Sequence, residues 1–327
     1  MTAPVSSSGG SASAQSGIFL ALGGGIILSL NDLAIKALAA TGYPLHQIVL
    51  VRALIGITLV LLVMAVSARG LAQIYSRRKK AHLLRVCIVV VSNMTYFVGL
   101  SLMPLADAVA IAFVSPLIVT ALSALILGEA VGPRRWAAVA VGLLGVVVMT
   151  RPGSGMIQPA AVLVLISAVC YASSHIMTRQ MRDTESAATL SFYVQLGFLA
   201  VSSIMGLMFG DGQMALAPDS TFEFLFRPWV LPPLADWWAF LATGLSVGIG
   251  GLMMSQAYRT TEAALVAPFE YIAIPMAILW GVLVFGTWPD HIAWLGIALI
   301  CGAGLYTLWR ETVRRKVSDV ATPGSDL

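Results

Sequence analysis

Ten stretches of this 327-residue chain are apolar over most of their length, and they leave little sequence for anything else. A helix that crosses a bilayer needs about 20 mostly apolar residues. The runs cover approximately residues 17–40, 45–66, 83–103, 105–127, 135–150, 158–178, 188–209, 237–258, 262–285 and 291–309. The fifth is short, and the third meets the fourth at Met103-Pro104-Leu105. Composition agrees with this reading: 58% of residues are hydrophobic and 10% charged, against roughly 25% charged in soluble domains. The expected fold class is an all-α integral membrane protein of ten transmembrane helices.

The ends of the chain read differently. Residues 1–16, MTAPVSSSGGSASAQS, are small and uncharged and are expected to form a disordered cytoplasmic tail, with residues 310–327 a second cytoplasmic tail. The first apolar run is too long for a signal-peptide core and has no basic flank before it, so it is expected to remain as a membrane helix. Lysine and arginine sit in excess on the cytoplasmic side of membrane proteins. Arg69, Arg77, Arg78, Lys79, Lys80 and Arg85 surround the second connection, and nine more basic residues follow spans four, six, eight and ten. Only Arg151 and Arg227 fall on the opposite side, a ratio of fifteen to two that places both termini in the cytoplasm. The net charge of +4 therefore reports topology, and the RRKK run is a membrane-edge anchor and not a nucleic-acid site.

Charge inside the spans carries the functional information. Asp32 and Lys36 lie in the first run and Arg52 in the second, where a charge at the bilayer centre costs roughly 2.5–3.5 kcal/mol on insertion scales. At 1.5 Å per residue, Arg52 lies about 10 Å and Asp32 about 12 Å from the external side. Asp32 and Lys36 are four residues apart and so share a helical face, either neutralising each other or serving a solute. Asn31, Asn93, Tyr96, His175, Gln195, Gln256 and Tyr271 add polar groups at comparable depth, and together these residues form the candidate cavity lining. Glu270, about 12 Å in from the cytoplasmic side, is the candidate proton-coupling carboxylate and the acidic partner expected across from Arg52. Cys87, Cys170 and Cys301 lie in separate spans, and neither cysteine nor histidine shows metal-ligand spacing. No catalytic motif, cofactor site or metal site is expected.

The two halves resemble each other. A shift of 143 residues places LNDLAIK (30–36) on SSHIMTR (173–179) and Arg52 on Gln195, while ADAVAIAFVSP (106–116) matches TEAALVAPFEY (261–271) at a shift of 155. Five spans per unit is an odd number, so the second copy must enter the membrane from the opposite side. Residues 17–151 and 158–309 are therefore expected to be inverted five-helix repeats. Pro116, Pro268 and Pro275 interrupt spans four and nine, equivalent in the two copies. Lost backbone bonds there are tolerable only beside protein or a wet cavity.

At this point the chain resembles a known family. The segments LADAVAIAFVSPLIVTALSALILGEAVGPRRWAAVAVGLLGVVVM and TTEAALVAPFEYIAIPMAILWGVLVFGTWPDHIAWLGIALICGAGL look like the EamA branch of the drug/metabolite transporter superfamily. The marks are Asp107, Pro116, Gly128 with Glu129, and Gly142 with Gly145; the second copy keeps Glu262, Pro268 and Gly286, and carries Thr287 where the family usually has Glu. The resemblance implies movement of small organic solutes across the bacterial inner membrane, by a multi-pass protein that is not an enzyme. The fold alone cannot name the cargo. Lys36 and Arg52 facing Glu270 and Asp32 suit a polar or zwitterionic solute, so uptake of a vitamin such as riboflavin is the leading expectation and amino-acid export the second. A membrane-embedded enzyme or a channel is the rival class. Expected partners are the small-molecule substrate and membrane lipid, with a homodimer compatible and nucleic acid excluded.

Overall fold

The computed structural model describes residues 8–67, 70–128, 131–151, 159–181, 184–217, 220–260 and 269–321. These residues are helical with no strand among them, in the order α1 (Ser8–Ala40), α2 (Leu45–Val66), α3 (Lys79–Leu102), α4 (Leu105–Ala112), α5 (Ser115–Leu127), α6 (Pro133–Thr150), α7 (Pro159–Met181), α8 (Ala187–Phe209), α9 (Glu223–Phe226), α10 (Trp237–Leu245), α11 (Gly251–Thr260), α12 (Ala273–Phe285) and α13 (His291–Ala321). Among the described residues, nine helical segments are long and apolar enough to cross a membrane, and α12 is a shorter apolar helix of 13 residues. The ninth expected run begins at residue 262, and its part before Phe269 lies outside the described residues. The backbone of α1 is helical from Ser8, into the segment expected as a tail; the portion apolar enough to span begins at Ser16.

Proline and glycine set the breaks. Pro104 stands extended between α3 and α4 (φ −52°, ψ 142°) and holds Met103 in the β region, as the steric demand of a proline ring on its predecessor requires. Span four is divided at Phe113–Val114, and Pro116 occupies the first turn of α5, where its missing N–H has no helical partner to lose. Residues 269–270 are likewise helical and 271–272 form a turn before α12, which contains Pro275. Gly128 ends α5 at φ +68° and Gly286 ends α12 at φ +64°, both in the left-handed region that glycine enters without penalty. Between α10 and α11, Ser246–Gly250 form a π-helical turn.

The packing partners fall into pairs. Helix α3 lies along α7, and α1 lies along α10, the π turn and α11. Helix α2 packs on α8, α4 on α12 and α6 on α13. At the α6–α13 contact a Cβ on Gly145 would stand 3.1 Å from the Gly296 carbonyl, and one on Gly296 would stand 3.1 Å from the Gly145 carbonyl. Small residues let these backbones approach closely, which drives helix association in lipid. One buried core runs through the bundle, with Ile35, Leu38, Leu45, Ile48, Leu100 and Ile111 fully enclosed.

The bundle has two ends. The starts of α1 and α3 and the far end of α13 share one, here the tail face, while Ala40, Met103, Arg151 and Asp290 mark the opposite face.

Candidate functional site

Three helices bring polar groups together inside the span, and a fourth adds an aromatic ring. On α1, Asn31 Nδ2 donates to Asp32 Oδ1 (3.0 Å), and from α3 the Tyr96 hydroxyl donates to Asp32 Oδ2 (2.9 Å). One helical turn before Tyr96, Asn93 faces α2: Arg52 Nη2 donates to Asn93 Oδ1 (3.3 Å). Asn93 Nδ2 donates in turn to the Val89 carbonyl (3.1 Å), which fixes the amide with its oxygen toward the guanidinium. Arg52 is 4% exposed, and its Cζ stands 5.1 Å from the Phe97 ring centre and 4.9 Å from that of Phe198 on α8. Asp32 and Arg52 also attract each other electrostatically.

This arrangement holds one positive and one negative charge without closing them into a direct ion pair. Aromatic faces stabilise a desolvated cation by roughly 0.5–2 kcal/mol each, less than a full carboxylate partner provides. The guanidinium therefore keeps hydrogen-bonding capacity for an added acceptor. Asn31 is 7% exposed and its Oδ1 has no protein hydrogen-bond partner, so an unfilled acceptor lies beside Asp32. A small cavity of about 70 Å³ opens next to Asp32, between α1, α4 and α12, lined by Leu28, Ser29, Leu105, Val109, Ala273 and Ala277. It has room for a few waters. Ser29 Oγ at its wall accepts from Trp280 Nε1 (3.0 Å).

Lys36 has another task. Its Nζ donates to the carbonyls of Leu100 (2.8 Å) and Met103 (2.7 Å) and lies 5.5 Å from the Phe285 ring centre. Those carbonyls belong to the C-terminal end of α3, where the helix leaves acceptors unfilled and favours positive charge. The Lys36 ammonium is directed to the end of α3 and makes no hydrogen bond to the Asp32 carboxylate one turn away.

The remaining sequence candidates are dispersed. Gln195 on α8 packs against Gly56, one turn beyond Arg52 on α2, where an added Cβ would collide with the amide. His175 meets Tyr171 edge-on at 4.4 Å. Glu270 acts electrostatically on Tyr171 and Tyr271, so its charge lies toward α7 and the break before α12. Tyr271 is 8% exposed, 4.9 Å from Phe113, with its hydroxyl against Gly304. Gln256 is exposed on α11.

Phe97 and Phe198 were not among the residues picked out from sequence. Their one available signal is position: Phe97 follows Tyr96, and Phe198 lies three residues after Gln195, hence on the same helical face. Among the described residues no group of three or more His, Cys, Asp or Glu gathers to hold a metal ion.

Known proteins place this geometry in context. The model of the EamA-like transporter family matches residues 15–151 and again 158–309. A riboflavin transporter of Rhizobium johnstonii is 30% identical over 247 residues, 76% of this chain and 76% of that protein. A riboflavin transporter of Vibrio cholerae is 26% identical, covering 94% of this chain and 97% of that one. A pseudopaline exporter of Pseudomonas aeruginosa is 29% identical over 88% of this chain and 93% of its own length. A solved crystal structure superposes with a TM-score of 0.61 at 21% identity, covering 92% of this chain and 98% of that one, which speaks for the fold alone.

Proposed function

The chain belongs to the EamA-like transporter family, and from that premise we propose that it is a secondary transporter of the bacterial inner membrane that takes up a small polar heteroaromatic metabolite of the riboflavin type. The observation that carries this reading is the buried Arg52, held by Asn93 and two phenylalanine rings beside the Asp32–Tyr96–Asn31 group. A site of this kind offers a planar cation, a carboxylate, a carboxamide acceptor and aromatic surface within one core. It suits a solute that is flat and carries both donors and acceptors. Two relatives named as riboflavin transporters support the choice of solute.

In this account the tail face is cytoplasmic, because the basic residues of the connections gather there. The two family matches are inverted five-helix units, and pairs of packing contacts support that. Exchanging each helix with its counterpart turns α3–α7 into the contact of α1 with α10 and α11 and α5–α7 into α12–α1, and returns α2–α8 and α6–α13 to themselves. Inverted units supply the two rocking bodies of alternating access, with substrate bound between them near mid-membrane. Glu270, on the second unit, is the proposed proton-coupling group.

Export of amino acids or related metabolites is the second reading, and the match to a pseudopaline exporter supports export as the direction. A thermal-shift screen of the purified protein separates the two, because a ligand that binds the folded state raises apparent stability by mass action. Riboflavin is expected to raise Tm in a concentration-dependent way while free amino acids do not; the opposite ranking overturns the choice of a riboflavin-type solute.

A further inference from the structure

Hydrogen-bonded loop contacts tie the two halves of the chain together at each end of the bundle. At the tail face the connection after α2 docks on the connection before α8. Ser76 Oγ donates to Glu185 Oε1 (2.5 Å), Thr189 Oγ1 donates to the Gln73 carbonyl (2.9 Å), and Tyr193 donates to the Ile74 carbonyl (3.0 Å). Glu185 has a side chain only 6% exposed, and its Oε2 lies 3.4 Å from Nε2 of the buried His82.

At the opposite face the connection after α8 docks on the connection before α2. The Tyr43 hydroxyl donates to Asp236 Oδ2 (2.6 Å). Gln47 exchanges two bonds with Val230, donating to its carbonyl (2.7 Å) and accepting from its N–H (3.1 Å), and Arg227 donates to the Ala39 carbonyl (2.7 Å). In both places the second connection of one half grips the first connection of the other half. The same device is built twice, at opposite ends.

Helices α2 and α8 join the two devices. Helix α2 begins at the Tyr43–Gln47 contact and leads to Gln73, while α8 begins at Glu185–Tyr193 and leads to Val230 and Asp236. The two helices pack on each other, with Gln195 set against Gly56 and Arg52 beside Phe198 along that contact. Rocking the halves about this contact lengthens the loops' separation at one end as it shortens it at the other. We propose that the Glu185 and Asp236 contacts are the two gates of the transporter, coupled through the α2–α8 pair so that they release one at a time. Each is a small set of hydrogen bonds from polar side chains, some to backbone and some to one another, that water can replace when the ends part, which gives a two-state element in place of a continuous hinge. The Tyr43 phenol is suited to hold its gate at any working pH, because burial and the Asp236 carboxylate push it up to about 12 and keep its proton in place.

The gating role rests on the transporter reading, so its test reads geometry and transport separately. On a background with Cys87, Cys170 and Cys301 replaced by alanine, spin labels at Arg77→Cys and Thr184→Cys report the tail face, and labels at Thr41→Cys and Leu234→Cys report the opposite face; all four positions are exposed. In lipid nanodiscs, Glu185→Gln is expected to raise the open fraction at the tail face by about tenfold, the size of the charge assistance lost when the acceptor becomes a neutral amide, while the opposite pair stays at its short distance. Asp236→Asn is expected to do the reverse. Ser76→Ala and Tyr43→Phe, which remove the donor and keep the carboxylate, are expected to repeat each shift if a carboxylate variant fails to fold. Opening of both ends together, or of neither, overturns the proposal. The predicted shifts in a protein that moves no tested solute would support the coupled contacts and count against the transporter reading instead.

Discussion

Arg52 and Lys36 show how two similar charges in neighbouring helices reach different ends. Arg52 has its guanidinium between aromatic rings with one side-chain hydrogen bond, whereas Lys36 spends its ammonium on two carbonyls at the end of α3. Lys36→Met therefore leaves two acceptors without their donor, and each such buried loss costs about 1–3 kcal/mol. We expect Lys36→Met to lower the denaturation midpoint while the KM of the folded fraction stays within about twofold, as scanning calorimetry and vesicle uptake measure; a large KM change with unaltered stability assigns Lys36 to the solute instead. Sequence placed Asp32 and Arg52 in the interior because charge in a span is costly anywhere. It did not show what Lys36 binds, since backbone carbonyls occur at every residue and leave no pattern. The rings of Phe97 and Phe198 were hidden for a related reason, because phenylalanine in an apolar helix is unremarkable until a cation is seen beside it.

The helices follow from length and hydropathy, and their breaks follow from proline and glycine. Pro104 and Pro116 mark the divisions that separate α3 from α4 and α4 from α5, and Gly128 and Gly286 end matching helices in the left-handed conformation. The π turn at Ser246–Gly250 has no such marker, because glycine there could equally serve close packing. Close packing also explains Gly304, where a Cβ would fall on the Tyr271 hydroxyl. Overpacking of this sort costs about 1–3 kcal/mol. Gly304→Ala is expected to destabilise the protein by that amount, and Tyr271→Phe in the same chain to recover part of it by removing the hydroxyl. A double-mutant cycle in urea measures the coupling; strictly additive effects would mean that Tyr271 and Gly304 do not share the space that the structure gives them.

At the scale of the whole molecule, two family matches cover residues 15–151 and 158–309, and under the proposed repeat the main helix contacts exchange in pairs. The proposed mechanism follows from that pairing: a polar site held mainly by α1, α2 and α3, a gate at each end, and a packed α2–α8 pair between the gates. The two halves are not chemically equal. In the proposed repeat Arg52 of the first half has Gln195 as its counterpart and Asp32 has His175, so the binding chemistry we propose is concentrated in one copy. An asymmetric site of that kind is expected to depend on a single arginine. Purified protein in liposomes preloaded with unlabelled riboflavin, with labelled riboflavin outside, tests this most directly, because exchange needs no driving ion and reports the site alone. Wild type is expected to accumulate label well above protein-free liposomes, while Arg52→Met, folded and inserted to the same level, falls by about a hundredfold, as loss of a buried charge-assisted contact of roughly 3 kcal/mol implies. Undiminished exchange by Arg52→Met would contradict the account.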